Sequence, residues 1–189
     1  MKIFSKAAIA LATPLLLGTA ALAQTLPPPV VVIVDMDQVI NGSIAGKQAA
    51  ADLKTRADAI QARLASLRTQ FGTEGETLQK AQPAPTATPA VISAWQAKAR
   101  DLQSRQQTAE ADLQKRDRDF QASRQLVLKQ INDAAQPVIT TVMRERGATI
   151  VLAEGATLQH SAAIDVTADV LARLDKALPR VNTTAPAAK

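Results

Sequence analysis

The chain has 189 residues, no cysteine, 2% aromatic residues and a formal net charge of +5 at pH 7. The lack of cysteine excludes disulfides, thiolate metal sites and a cysteine-linked lipid anchor. The mild charge, without basic blocks interleaved with aromatics, is not typical of nucleic-acid binding. The scarcity of aromatics predicts little self-contained core per chain and stabilisation through oligomer formation.

Residues 1–23 have the features of a secretory signal peptide. Two lysines precede an apolar stretch, and small residues flank Leu22 as signal peptidase requires. We predict cleavage after Ala23 and export to the periplasm, which leaves 20 basic and 17 acidic residues in the mature chain. The alternative, a retained membrane anchor, is disfavoured by Pro14 and the shortness of the uncharged stretch.

A buried strand is predicted at residues 30–34, where five β-branched residues follow one another. Asp35 and Asp37 mark its end. Two neighbouring carboxylates are compatible with acid–base chemistry or a metal, but a turn and a helix cap account for them more simply.

Two long helices are predicted next, forming a hairpin arm over residues 43–146. Helix one begins near Ser43, a good N-cap, and helix two runs from about residue 90 to 146. Three prolines within 81–89 predict the tip where the chain reverses, and Pro137 predicts a kink in helix two. Apolar positions recur with the 4-3 spacing of a coiled-coil seam: Leu53, Ala57, Ile60, Leu64, Leu67, Phe71 and Leu78 in helix one, and Trp95, Ala99, Leu102, Ala109, Leu113, Phe120 and Val127 in helix two, where Gln106, Arg116 and Ser123 dilute it.

The end of the chain predicts a return to the β structure. Residues 148–153 read as a second buried strand, 154–156 as a turn and 157–163 as a returning strand. A last helix is capped by Asp165 or Thr167 and stopped by Pro179.

The predicted fold is α+β, mostly α, with a long antiparallel coiled-coil hairpin arm on a small β body. The body comprises residues 24–42 and 147–180, and 181–189 is predicted to be a disordered tail. The core strands of this body contribute Val32, Ile33, Val34, Ile150, Val151 and Leu152.

No catalytic, cofactor or metal site is predicted, and the chain is not expected to be an enzyme. His160 is the only histidine, and Gly46-Lys47 lacks the glycine spacing of a phosphate loop, so close packing is the better role for Gly46.

The arm holds 16 basic and 11 acidic residues. Mixed charge on a helix usually marks a face that is exposed to solvent. Alternatively, six basic residues form a distal surface that binds acidic unfolded polypeptides or an anionic membrane surface. These residues are Arg63, Arg68, Lys80, Lys98, Arg100 and Arg105.

Both ends of the chain resemble the Skp/OmpH family of periplasmic chaperones. The matching residues are Val32-Ile33-Val34-Asp35-Met36, Val39 and Ser43-x-x-Gly46-Lys47, then Gly147-Ala148, Val151-Leu152 and Ile164-Asp165-x-Thr167-x-x-Val170-Leu171. The resemblance implies a homotrimer with a shared β body, from which three helical hairpins hang as tentacles. It implies ATP-independent holding of unfolded outer-membrane β-barrel proteins between them. The proline-rich tip, the lower charge and His160 depart from the family pattern.

Two functional hypotheses follow. The first is a holdase chaperone whose loose seams let the arms flex around unfolded outer-membrane proteins. The second is a trimeric coiled-coil spacer of the cell envelope, which would bind folded partners and ignore unfolded ones. The diluted seam of helix two argues against a rigid spacer.

Overall fold

The computed structural model of the chain describes residues 28–185. The predicted signal peptide and its cleavage site lie outside the described residues. In chain order the elements are β1 (Val31–Val34), α1 (Met36–Gly42), α2 (Ile44–Lys80), α3 (Pro89–Glu145), β2 (Ile150–Ala153), two short 3-10 turns (Glu154–Ala156 and Ala162–Ile164) and α4 (Thr167–Ala177). This mostly helical composition with one small sheet confirms the predicted fold class.

The two strands pair in parallel, with Val31 opposite Ile150 and Val34 opposite Ala153. Parallel neighbours need a crossover connection, and here the whole helical hairpin provides it. The prediction that the strands on either side of the arm meet in space is confirmed.

The predicted returning strand at 157–163 is wrong. After β2 the chain forms a 3-10 turn and crosses to the far edge of β1, where Val166 N–H donates to the Ile33 carbonyl oxygen at 2.9 Å. Leu158 is fully exposed, so a strand here would gain no apolar burial within the single chain.

A short helix that the sequence analysis missed, α1, links the strand to the arm. Asp35 is its N-cap and accepts a hydrogen bond from Gln38 N–H at 2.9 Å, which confirms the helix-cap interpretation. Ser43 ends α1 and begins α2: its Oγ accepts from Gly46 N–H at 3.0 Å and donates to the Ile40 carbonyl oxygen at 3.1 Å. One serine thus caps α2 and fixes the bend between the two helices.

The arm is the pair α2–α3, joined at the proline-rich tip as predicted. At about 1.5 Å per residue, α2 spans roughly 55 Å. All the apolar seam positions predicted in both helices are buried or half-buried, whereas Gln106 and Arg116 are exposed. The helix α3 is not interrupted at Pro137.

The main core lies where β1, α1 and α4 meet the roots of α2 and α3. Val39, Ile131, Val170 and Leu174 are fully buried there. Val32, Ile33 and Val34 are buried as predicted. The predicted burial of β2 does not hold in the single chain: Val151 packs on the core, but Ile150 and Leu152 remain 40% and 38% exposed.

The predicted disordered tail is wrong for residues 181–185. Val181 and Thr183 are buried, with exposures of 7% and 8%, and the segment is hydrogen-bonded to both arm helices. The remainder of the predicted tail, 186–189, lies outside the described residues.

Candidate functional site

The distal half of the arm carries the basic residues that the sequence analysis selected. All six side chains, Arg63, Arg68, Lys80, Lys98, Arg100 and Arg105, belong to exposed residues of α2 or α3. They spread along two helices and do not converge on one point. Such a surface can attract anionic groups over a long stretch.

Arg105 differs from the other five because it forms ion pairs within the described part of the chain. It bridges α3 to α2 through Glu74 and also pairs with Asp101 one turn earlier, at 2.9 Å. The hydrogen bond from Arg105 is the main reason that the pKa of Glu74 is lowered, and the hydrogen bond to Glu74 is the main reason that the pKa of Arg105 is raised. Arg105 therefore links the two arm helices, and much of its charge is compensated.

A distal cleft of about 300 Å³ lies between the two helices beside this ion pair. Its wall combines Leu78 and Leu102 with Lys98 and with the Glu74–Arg105 pair. Nearby, Trp95 Nε1 donates to the Leu78 carbonyl oxygen at 2.9 Å. Trp95 is half-buried and belongs to the seam, as the sequence analysis favoured.

A second, more apolar cleft of about 260 Å³ lies at mid-arm, with Leu64, Phe71 and Leu113 in its wall. The exposed Gln106 stands in the seam here and does not fill the space between the helices. The polar dilution predicted for helix two therefore coincides with incomplete packing. Shallow apolar clefts of this kind suit weak contacts with varied side chains.

A third region, at the root of the arm, was missed by the sequence analysis. Here the segment 181–185 lies in a groove whose walls are α2 and α3, and we call this the root groove. Its polar side chains are Gln48, Asp52 and Arg56 on α2, and Ser123 and Gln130 on α3. No periodicity distinguishes these residues from solvated positions; the seam position of the polar Ser123 was the only hint.

In the loop after β2, His160 and its neighbours form a small polar cluster. His160 Nδ1 lies 3.3 Å from the Ser161 carbonyl oxygen, and Nε2 lies 3.4 Å from Glu154 Oε1. The bond to the Ser161 carbonyl, followed by the bond to Glu154, raises the pKa of His160. These contacts give the histidine a structural role in the loop.

Residues 28–185 contain no group of three or more histidine or carboxylate side chains placed to hold a metal ion. Within the same range, no helix has the length and apolar character needed to cross a membrane.

Comparison with known proteins agrees with this architecture. A family model described as outer membrane protein (OmpH-like) matches residues 30–174. A crystal structure from Caulobacter crescentus, described as an OmpH-like outer membrane chaperone, superposes with a TM-score of 0.71 at 23% identity, covering 84% of this chain and 90% of that one. No curated protein matches the sequence. Because the family model spans well over half of the chain and the fold is shared, the chain belongs to the OmpH-like family.

Proposed function

We propose that this protein is an ATP-independent holdase chaperone of the periplasm, which binds unfolded outer-membrane β-barrel proteins between its arms and prevents their aggregation. It acts as a homotrimer and without catalysis. The observation that carries the proposal is the arm: two helices of 37 and 57 residues pack on each other along a seam that polar residues and shallow clefts keep loose.

The arm suits a client without fixed shape. An unfolded chain presents many apolar groups in no fixed arrangement, so several weak apolar clefts serve it better than one deep pocket. The clefts at Leu102 and at Phe71 lie along the same pair of helices. The exposed basic residues Arg63, Arg68 and Lys98 add an attraction for acidic clients.

The exposed edge of the β body is an argument for the proposed trimer. Among residues 28–185 the sheet has two strands, so the outer edge of β2 has no partner strand there, and Ile150 and Leu152 stay partly exposed beside it. An unpaired edge with exposed apolar residues is a site for pairing with another chain. A β core shared by three copies, with Val32, Ile33, Val34, Ile150, Val151 and Leu152 in its strands, would cover this surface.

The test is the native mass of residues 24–189 by light scattering, alone and after addition of a urea-unfolded outer-membrane barrel protein. We expect a trimer that forms a soluble complex of defined stoichiometry. A folded barrel protein is the matched control and should not bind.

The other outcomes separate the alternatives. A trimer that lets the unfolded protein precipitate would support an envelope spacer instead. A monomer would contradict the shared β body. Binding to anionic vesicles without binding to the unfolded protein would indicate that the basic surface binds membranes instead.

A further inference from the structure

We propose that the root groove is a binding site for extended polypeptide, that the chain's own segment 181–185 occupies it as a substitute ligand, and that an extended stretch of a bound client displaces this segment. The inference rests on the proposed function for the identity of the displacing polypeptide. The site itself is defined by the contacts of the segment.

Most hydrogen bonds between the groove and the segment involve main-chain atoms of the segment, and the others involve the hydroxyl groups of Thr183 and Thr184. Gln130 pairs with both polar main-chain groups of Asn182: its Nε2 donates to the carbonyl oxygen at 2.8 Å and its Oε1 accepts from the N–H at 3.0 Å. This is the pairing that a neighbouring strand would offer. Gln48 Oε1 accepts from Val181 N–H at 3.2 Å, and Arg56 donates to the Thr183 carbonyl oxygen.

The main-chain contacts depend little on sequence, because any residue except proline presents the same main-chain groups. Farther along, Ser123 Oγ accepts from Ala185 N–H at 3.4 Å. Ser123 is 2% exposed and also receives a hydrogen bond from Arg56 at 3.3 Å. The polar wall is thus built into the packed root of the arm.

The side chains of the segment alternate as in a β-strand. Val181 and Thr183 are buried, whereas Asn182 and Thr184 are exposed. The two buried residues are β-branched and differ in polarity, so the groove admits small apolar or hydroxyl side chains at every second position. Alternation of this period is the sequence pattern of β-barrel strands.

The groove extends along the arm. A cavity of about 470 Å³ adjoins Thr184 and Ala185, and its wall includes Ile60 and Phe120. A longer extended segment therefore meets apolar surface in the direction of the mid-arm cleft. This continuity connects the root groove to the surface on which clients are proposed to lie.

The first experiment is amide hydrogen exchange in the unmodified trimer, with and without a saturating unfolded barrel protein. The N–H groups of Val181 and Asn182 should be protected in the free protein and exchange at least several-fold faster in the complex. If the client binds and these two amides keep their protection, the segment only stabilises the root of the arm. This proposal then fails, while the proposed function stands.

The second experiment uses Asn182→Pro, which removes the N–H that donates to Gln130 without adding charge. Loss of one hydrogen bond from the competing segment should tighten client binding by about fivefold. Asn182→Ala keeps the main-chain N–H but, like the proline variant, loses the hydrogen bond from Thr184 N–H to Asn182 Oδ1 at 2.8 Å. It is therefore the matched control for the side chain and should tighten client binding less than Asn182→Pro does. Equal affinities for the two variants would overturn the competition.

If no unfolded client binds at all, the proposed function fails. A peptide titration then tests separately whether the groove binds extended polypeptide. A labelled peptide with the sequence of residues 179–185 is titrated into the Asn182→Pro variant. Saturable binding that weakens with Gln130→Ala, but not with the exposed Gln125→Ala on the same helix, supports the site. Absence of binding refutes it.

Discussion

A Cβ atom added to Gly46 would lie 1.7 Å from the carbonyl oxygen of Ile40. The backbone of α2 therefore contacts the backbone of α1 at a distance that only glycine permits. The Gly46 N–H also donates to Ser43 Oγ at 3.0 Å, so the same residue closes the cap. The junction between the body and the arm depends on this contact.

Gly46→Ala should lower the free energy of unfolding by about 3 kcal/mol or more, because α1 must shift away from α2. The matched control is Gly72→Ala in the exposed part of α2, where nothing lies within 4 Å of the added Cβ. That substitution should stabilise the helix by about 0.5–1 kcal/mol. Urea unfolding measures both, and similar small effects at the two positions would contradict the close approach.

Assembly should depend on the face of β2 that the single chain leaves uncovered. Leu152→Asp places a charge at a residue that is 38% exposed in the chain. We expect it to dissociate the proposed trimer with little loss of helical structure, measured by light scattering and circular dichroism. Val151→Asp should also disrupt the chain itself by several kcal/mol, because Val151 packs on the core. A stable trimer carrying Leu152→Asp would refute the proposed β core.

The distal hairpin should depend on the pairing of Glu74 with Arg105. Either Glu74→Arg or Arg105→Glu places like charges opposite each other, and the exchange of amides near Leu78 should become faster. The double substitution restores an opposite pair across the helices and should recover part of the protection. Recovery is partial because Arg105 also pairs with Asp101, and that pair is lost in the double variant. Protection that stays unchanged in both single variants would show that the seam alone holds the tip.

Capture of an acidic unfolded client should weaken as salt rises, because exposed charges are screened over about 10 Å at 0.1 M salt. Neutralising Arg63, Arg68 and Lys98 with glutamine should slow capture and reduce its salt dependence. A control with the same loss of charge at the root and body, at the exposed Lys47, Arg144 and Lys176, should have less effect. Stopped-flow fluorescence measures the rates. Capture that does not respond to salt would argue against electrostatic attraction.

The loop after β2 should lose stability as the pH rises. The pKa of His160 is raised in the folded chain by the Ser161 carbonyl and by Glu154. A raised pKa means that the folded state favours the protonated imidazole. The contribution is complete below the unfolded pKa of about 6.5 and is lost as the pH rises through the folded pKa.

As the only histidine, His160 can be titrated by NMR without ambiguity. Its pKa should exceed that in the urea-unfolded chain, and Glu154→Gln should reduce the difference without abolishing it, because the bond to the Ser161 carbonyl remains. A folded pKa equal to the unfolded one would refute the contacts.

Features set by neighbouring residues were predictable. The heptad spacing of Leu64, Leu67 and Phe71 identifies a seam because helical periodicity is local. The prolines at the tip and the serine at position 43 mark helix ends through their own backbone chemistry. The short helix α1 was missed because Asp35 also fits a turn at the end of β1, and Ser43 also fits the start of α2.

The order of strand, long helix, reversal, long helix and strand follows from the amino-acid sequence alone, as does the family, because each depends on periodicity, caps and motifs within short windows. The folded chain was needed to establish that the segment after β2 crosses to β1, that Ile150 and Leu152 stay exposed, and that Asn182 lies against Gln130. Most of these arrangements are determined by hydrogen bonds of main-chain groups to residues that are distant in the sequence. Every residue but proline offers the same donor and acceptor, so the pairing leaves no signature in residue type.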